Sequence, residues 1–247
     1  MTPLHALLIF ATGLAAGCIN VIVGSGSLIT FPVLIALGYP PVVANVSNTV
    51  GLVPGSASGV YGYRRELDGQ RTRVLWLGAA SAIGAVTGGL LLLVLPEETF
   101  EIVVPVLIAL ACVLVVIQPK LSQWLGGRQL RPHGGPWLWL GVLASGVYGG
   151  YFGAAQGVIL LGLLATFLAE NLQRVNAVKN VLAGIVNAAA AVLFILIAHV
   201  NWAIVVCIAV GSTLGGLAGA SIGRRLPPMA LRVLIVIVGV TAIIKLV

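Results

Sequence analysis

The sequence predicts an all-α polytopic membrane protein, built as two inverted repeats whose helices are discontinuous. Three observations carry this. Of 247 residues, 60% are hydrophobic and 8% charged, too little charge to cover a soluble domain of this size. Mean hydropathy is +1.13, and apolar runs near the length of about 20 residues that a helical span needs recur with short polar connections. Twice, an apolar run breaks at a glycine cluster and resumes as a segment too short to span. A β-barrel is excluded, because apolar and polar residues do not alternate along short strands.

The elements follow in chain order. Leu4–Val23 is the first full-length span. No basic segment precedes it and the chain stays apolar after it, so it reads as a span and not as a signal peptide. The run breaks at Gly24-Ser25-Gly26-Ser27 and resumes as Leu28–Leu37, roughly 15 Å of helix and about half the bilayer core. The polar residues Asn45, Ser47, Asn48 and Thr49 come next, at the start of the full-length span Val46–Tyr63, which is followed by Val74–Leu95 and Phe100–Ile117. The connection 120–136, with Gly126-Gly127, Gly134-Gly135 and two prolines, is a cytoplasmic linker between a first repeat (1–119) and a second (137–247). The second repeat opens with Trp137–Phe152, breaks at Gly153-Ala154-Ala155-Gln156-Gly157, and resumes as the short Val158–Leu168. Val175–Ala198, Ala203–Ile222 and Met229–Val247 complete eight full-length spans.

The halves repeat in order and partly in letters. Ala16-Gly17 with Gly24 after it matches Ser145-Gly146 with Gly153 after it. Val43–Asn48 lines up with Val175–Asn180. Charge then chooses the topology. If the short segments do not cross, basic residues split between the two faces. If each completes a crossing, about ten crossings result and the N-terminus lies outside. Arg64, Arg65, Arg71, Arg73, Lys120, Arg128, Arg131, Arg174, Lys179, Arg224, Arg225 and Arg232 then share the cytoplasmic side. Lys245 lies outside with Glu97, Glu98 and Glu101. The positive-inside rule favours this arrangement, and five crossings per half invert the repeats.

Paired interruptions at matching positions of two halves point to a transporter's binding site. Backbone N–H groups at a restarted helix lack partners and carry partial positive charge, which suits an anion. Gly24 and Gly26 admit a close backbone approach while Ser25 and Ser27 add hydroxyl donors; Gly153, Gly157 and Gln156 play these parts in the second half. Asn45, Ser47, Asn48 and Thr49 form one polar stretch inside the apolar region, and Asn176, Lys179, Asn180 and Asn187 form the other. Such groups are costly in a membrane and face partners or a water-filled path. The plain alternatives are helix-to-helix bonding for the asparagines and an interfacial position for Lys179.

Other features read structurally. Gly211, Gly215, Gly219 and Gly223, echoed by Gly84 and Gly88, form ladders for close helix packing. Cys18, Cys112 and Cys207 sit at unrelated spacings in apolar segments, which is neither a disulfide framework nor a zinc pattern. His5, His133 and His199 are isolated. No metal or cofactor is expected. The net charge of +7 sits at segment ends, as topology requires, so the partners are the lipid bilayer and a small solute and not nucleic acid. The six acidic residues all lie in connections or at their edges, so no buried carboxylate awaits a cation or proton. An anion is the expected cargo. An inside-negative potential drives an anion outward by about 2.3 kcal/mol per charge per 100 mV, enough for uncoupled export.

The residues Gly13-x3-Gly17, Gly24–Ser27, Pro32, Gly38 and Ala44–Thr49 resemble the TauE/SafE-type sulfite exporter family, also called toluenesulfonate uptake permeases. Gly146, Gly153, Gly157 and Asn176–Val181 repeat the likeness more weakly. The resemblance implies a bacterial inner-membrane permease for sulfite or organosulfonate-type anions. The second break departs from a run of glycines at Ala154, Ala155 and Gln156. A permease is therefore expected, and not an enzyme. The rivals are an intramembrane serine protease-like enzyme, for which Ser56-Ala57-Ser58-Gly59 lacks the leading glycine of a nucleophile motif, and a membrane subunit of a larger complex.

Overall fold

The computed structural model describes residues 1–125 and 134–222, together with Val233, Ile237 and Val240. Apart from those three residues, the span Met229–Val247 lies outside the described residues. So do Gly223, Arg128, Arg131, His133, Arg224, Arg225, Arg232 and Lys245.

Among the described residues the regular elements are helices: α1 (Pro3–Ile22), α2 (Ser27–Ala36), α3 (Pro41–Gly62), α4 (Arg71–Val94), α5 (Glu97–Leu125), α6 (Gly135–Tyr151), α7 (Gln156–Phe167), α8 (Leu172–Ile197) and α9 (Trp202–Ile222). A short 3-10 turn, Arg64–Leu67, joins α3 to α4. By length and composition α1, α4, α8 and α9 are able to cross a membrane, whereas α2 and α7 are short apolar helices.

Local chemistry sets the boundaries. Thr2 caps α1 by accepting from the His5 N–H, and Pro3 occupies the first turn, where a missing N–H costs nothing. Asn171 caps α8 in the same way through Arg174. Glu97 and Glu98 occupy the first turn of α5, where the helix dipole favours negative charge. The polar stretch Ala44–Thr49 lies wholly within α3, which starts at Pro41 and so earlier than the span expected from Val46. Proline pre-sets the backbone for a helix start, and this outweighs the weak helix propensity of Asn, Ser and Thr.

Helix α1 packs along α9, and α6 packs along α4. Helix α3 lies against α8 and α9, while α8 lies against α3 and α4. Exchanging α1, α2, α3 and α4 for α6, α7, α8 and α9 turns the α1–α9 contact into α6–α4, the α3–α9 contact into α8–α4, and the α3–α8 contact into itself. The two long seams are glycine seams, as the ladders predicted. A Cβ on Gly215 would stand 1.9 Å from the Leu14 carbonyl oxygen of α1, and one on Gly88 would stand 2.0 Å from that of Val147 in α6. Side chains are thereby excluded and the backbones meet directly. Apolar residues such as Leu7, Ile102, Leu196 and Val206 face outward.

Candidate functional site

Both breaks are built alike. Helix α1 ends where the N–H groups of Val23 and Gly24 converge on the Ile19 carbonyl, at 2.7 and 3.1 Å. Helix α6 ends where those of Phe152 and Gly153 converge on the Tyr148 carbonyl, at 3.0 and 3.2 Å. Gly24 (φ +87°) and Gly153 (φ +75°) then reverse the chain in the left-handed region, which glycine enters freely. The two breaks touch. The Gly157 N–H donates to the Gly24 carbonyl at 3.0 Å, and a Cβ on Gly24 would lie 2.3 Å from the Gly157 Cα.

The polar helices secure these broken ends, each reaching into the other half. From α3, Asn45 Nδ2 donates to the Tyr151 carbonyl at the end of α6, at 2.9 Å. From α8, Asn176 Nδ2 donates to the Val21 carbonyl at the end of α1, at 3.2 Å. Lys179 is fully buried, and its Nζ donates to the Asn20 and Val21 carbonyls at 3.0 Å each. The interfacial position open to Lys179 from sequence is therefore excluded; it completes the negative end of the α1 dipole instead. Asn48 bridges to the start of α2, donating to Ser27 Oγ at 3.1 Å and accepting from the Thr30 hydroxyl.

Several buried polar atoms around the breaks have no hydrogen-bond partner among the described residues: Ser25 Oγ, Gln156 Nε2, Asn180 Nδ2, Asn45 Oδ1 and Asn176 Oδ1. Backbone carbonyls only accept, so the bonds to Tyr151 and Val21 fix the amide orientations of Asn45 and Asn176. A buried polar group without a partner costs about 1–3 kcal/mol. Of the five, Ser25 Oγ, Gln156 Nε2 and Asn180 Nδ2 can donate, while Asn45 Oδ1 and Asn176 Oδ1 can only accept. Hydroxyl and amide donors beside two helix starts suit an oxyanion. Thr49 does not join them, since its hydroxyl donates to the Asn45 carbonyl of its own helix. Gly26 serves packing, its missing Cβ leaving room for the Ala16 carbonyl of α1. Asn187 donates to Ser56 Oγ at 3.1 Å, and the Ser56 hydroxyl donates to the Leu52 carbonyl, so among the described residues this serine is held by an amide and a carbonyl.

A family model described as Sulfite exporter TauE/SafE matches residues 9–246. The chain belongs to this family. It is similar to the probable membrane transporter protein YfcA of Escherichia coli K12, 29% identical over all of this chain and 91% of that protein. A probable membrane transporter protein of Haemophilus influenzae is 29% identical over 97% of this chain and 93% of its own length. A third relative, the probable membrane transporter protein ORF9 of Sinorhizobium sp, is 24% identical over 96% and 90%. No solved structure matches. The TauE/SafE family is one of membrane transporters, which agrees with the apolar helices.

Within this TauE/SafE chain several residues at the breaks escape a sequence reading. Thr30 is an ordinary apolar-segment threonine until α2 meets Asn48. The Tyr148 hydroxyl donates to the Ala154 carbonyl inside the second break. Gly149 makes room for the Gln156 side chain, whose Cδ would lie 2.3 Å from a Cβ there. Phe31, Phe100 and Phe152 pack edge to face with centroids 5.0 to 6.3 Å apart. Their pairing depends on α2, α5 and α6 converging, and no spacing in the sequence announces it.

Proposed function

We propose that the protein is a permease for small oxyanions of the sulfite or organosulfonate type. It exports them across the bacterial inner membrane through about ten crossings arranged as two inverted repeats. The observation that carries this is the meeting of the two glycine breaks at Gly24 and Gly157, ringed by the unpaired donors of Ser25, Gln156 and Asn180. Opposed half-helices joined at their tips are the arrangement in which alternating access needs only the two halves to rock about a fixed site. Substrate sulfur chemistry is supported by the family alone.

The test is flux of radiolabelled sulfite in liposomes holding only the purified protein. Efflux is expected to rise with an inside-negative potential and to need no pH gradient. Asn48→Ala and Asn180→Ala each lower it while leaving folded protein. Flux that ignores potential yet requires a pH gradient overturns uncoupled export. Unchanged flux in both variants removes these asparagines from the site.

A further inference from the structure

Away from the breaks, a second polar cluster ties the two halves together, and it is built around one carboxylate. Glu170 lies in the connection between α7 and α8. Its Oε1 accepts from Arg73 of α4 at 3.0 Å and its Oε2 accepts from the Arg174 Nε of α8 at 2.7 Å. Gln70 completes the cradle. It accepts from Arg73 and donates to the Glu66 carbonyl at 2.8 Å and the Arg174 carbonyl at 3.3 Å. Arg174 also reaches the Asp68 carbonyl at 3.0 Å.

The cradle is preformed from within and open from without. Gln70 is 2% and Arg73 8% exposed, while the side chains of Glu170 and Arg174 are 21% and 28% exposed. Two guanidiniums holding the two oxygens of one carboxylate is the recognition that any small oxyanion calls for, since arginine's fork matches carboxylate and related oxyanions alike. The occupant here is part of the chain, and it joins the start of α4 in the first half to the entrance of α8 in the second.

We propose that Arg73 and Arg174 form an anion-binding site at the arginine-bearing end of the bundle, and that Glu170 is a tethered stand-in which a free sulfonate, sulfite or carboxylate group displaces. Displacement exchanges the tethered Glu170 carboxylate between the halves for an untethered anion, while the Gln70 and Asp68 contacts to Arg174 remain, so the arriving anion itself loosens one tie between the halves. The proposal rests on the reading that the cargo is a small anion. It adds a second site, distinct from the glycine breaks, and a rule for its use.

Removing either partner of an ordinary structural ion pair has effects of the same sign. A tethered competitor predicts opposite signs. Purified full-length protein is titrated with methanesulfonate by calorimetry and assayed for sulfite flux. Glu170→Ala, and the milder Glu170→Gln should alanine fail to fold, are expected to tighten methanesulfonate binding about tenfold and to lower the KM for flux from the arginine-bearing side. Arg73→Gln is expected to raise that KM, and to abolish the added binding when combined with Glu170→Ala. If both single variants move binding and KM in the same direction, the proposal is overturned while the permease reading stands. If Glu170→Ala gains binding that Arg73→Gln removes, yet no form of the protein moves anions, the site stands and the permease reading fails.

Discussion

Ala155 is the one non-glycine among the described residues with a positive φ, at +58°. A left-handed alanine costs about 1–2 kcal/mol, and glycine there forfeits about 0.5–1 kcal/mol of chain entropy. The first term is larger, so Ala155→Gly is expected to raise the melting temperature slightly, and a clear drop in a thermal melt would contradict this account. Asn48 is a different kind of residue, because it satisfies Ser27 and Thr30 together. Leaving both short of a partner costs about 1–3 kcal/mol, so Asn48→Ala should lower stability measurably as well as flux. Lys179→Met removes a donor from the Asn20 and Val21 carbonyls, with a similar loss expected, and Lys179→Arg should recover part of it. At this scale the glycines and asparagines that meet around the breaks were legible as exceptions to an apolar background. Tyr148, Gly149, Thr30 and the Arg73–Glu170 pair were not. Their meaning lies in contacts between residues far apart in the chain.

Helices were legible as runs of apolar residues of sufficient length, and the breaks in them as glycine clusters. What failed was the start of α3, where polar residues masked a helix that Pro41 begins. The glycine seams belong to this scale. With only 1.9 Å from a Gly215 Cβ to the Leu14 carbonyl oxygen, a leucine cannot enter without separating α1 from α9. In a membrane, packing between close backbones is much of what holds helices together. Gly215→Leu and Gly88→Leu are both expected to reduce folded yield sharply, as read by gel filtration after extraction. The substitution Leu214→Ala on the exposed face of α9 should have little effect.

For the whole molecule, the ends of the bundle differ. At one end Arg73, Glu170 and Arg174 close the halves on each other. At the other, a cleft of about 170 Å³ opens among the start of α3, the end of α4 and the end of α8, with Glu97 and His199 at its rim. Burial pushes the Glu170 carboxyl up, but its hydrogen bonds to Arg73 and Arg174 and their charges outweigh this and hold it below the ordinary value of 4.5. A carboxyl with a lowered folded value contributes stability in full above its unfolded value and loses it as pH falls through the folded one. Melting temperature should therefore fall below about pH 4.5 more steeply in the wild type than in Glu170→Gln. Identical acid profiles would show that the tie carries no stability. A membrane transporter was legible at this scale from the paired breaks, because their repetition is a property of the whole sequence. The way the halves grip each other was not. That grip has a consequence for how the chain is made. The carbonyls of Asn20 and Val21 emerge from the ribosome long before Asn176 and Lys179 exist to meet them, and hydrocarbon offers no substitute donor. The N-terminal half must wait, incomplete, near water or a helper protein until the second half arrives, so insertion of this protein is finished last at the place where it began.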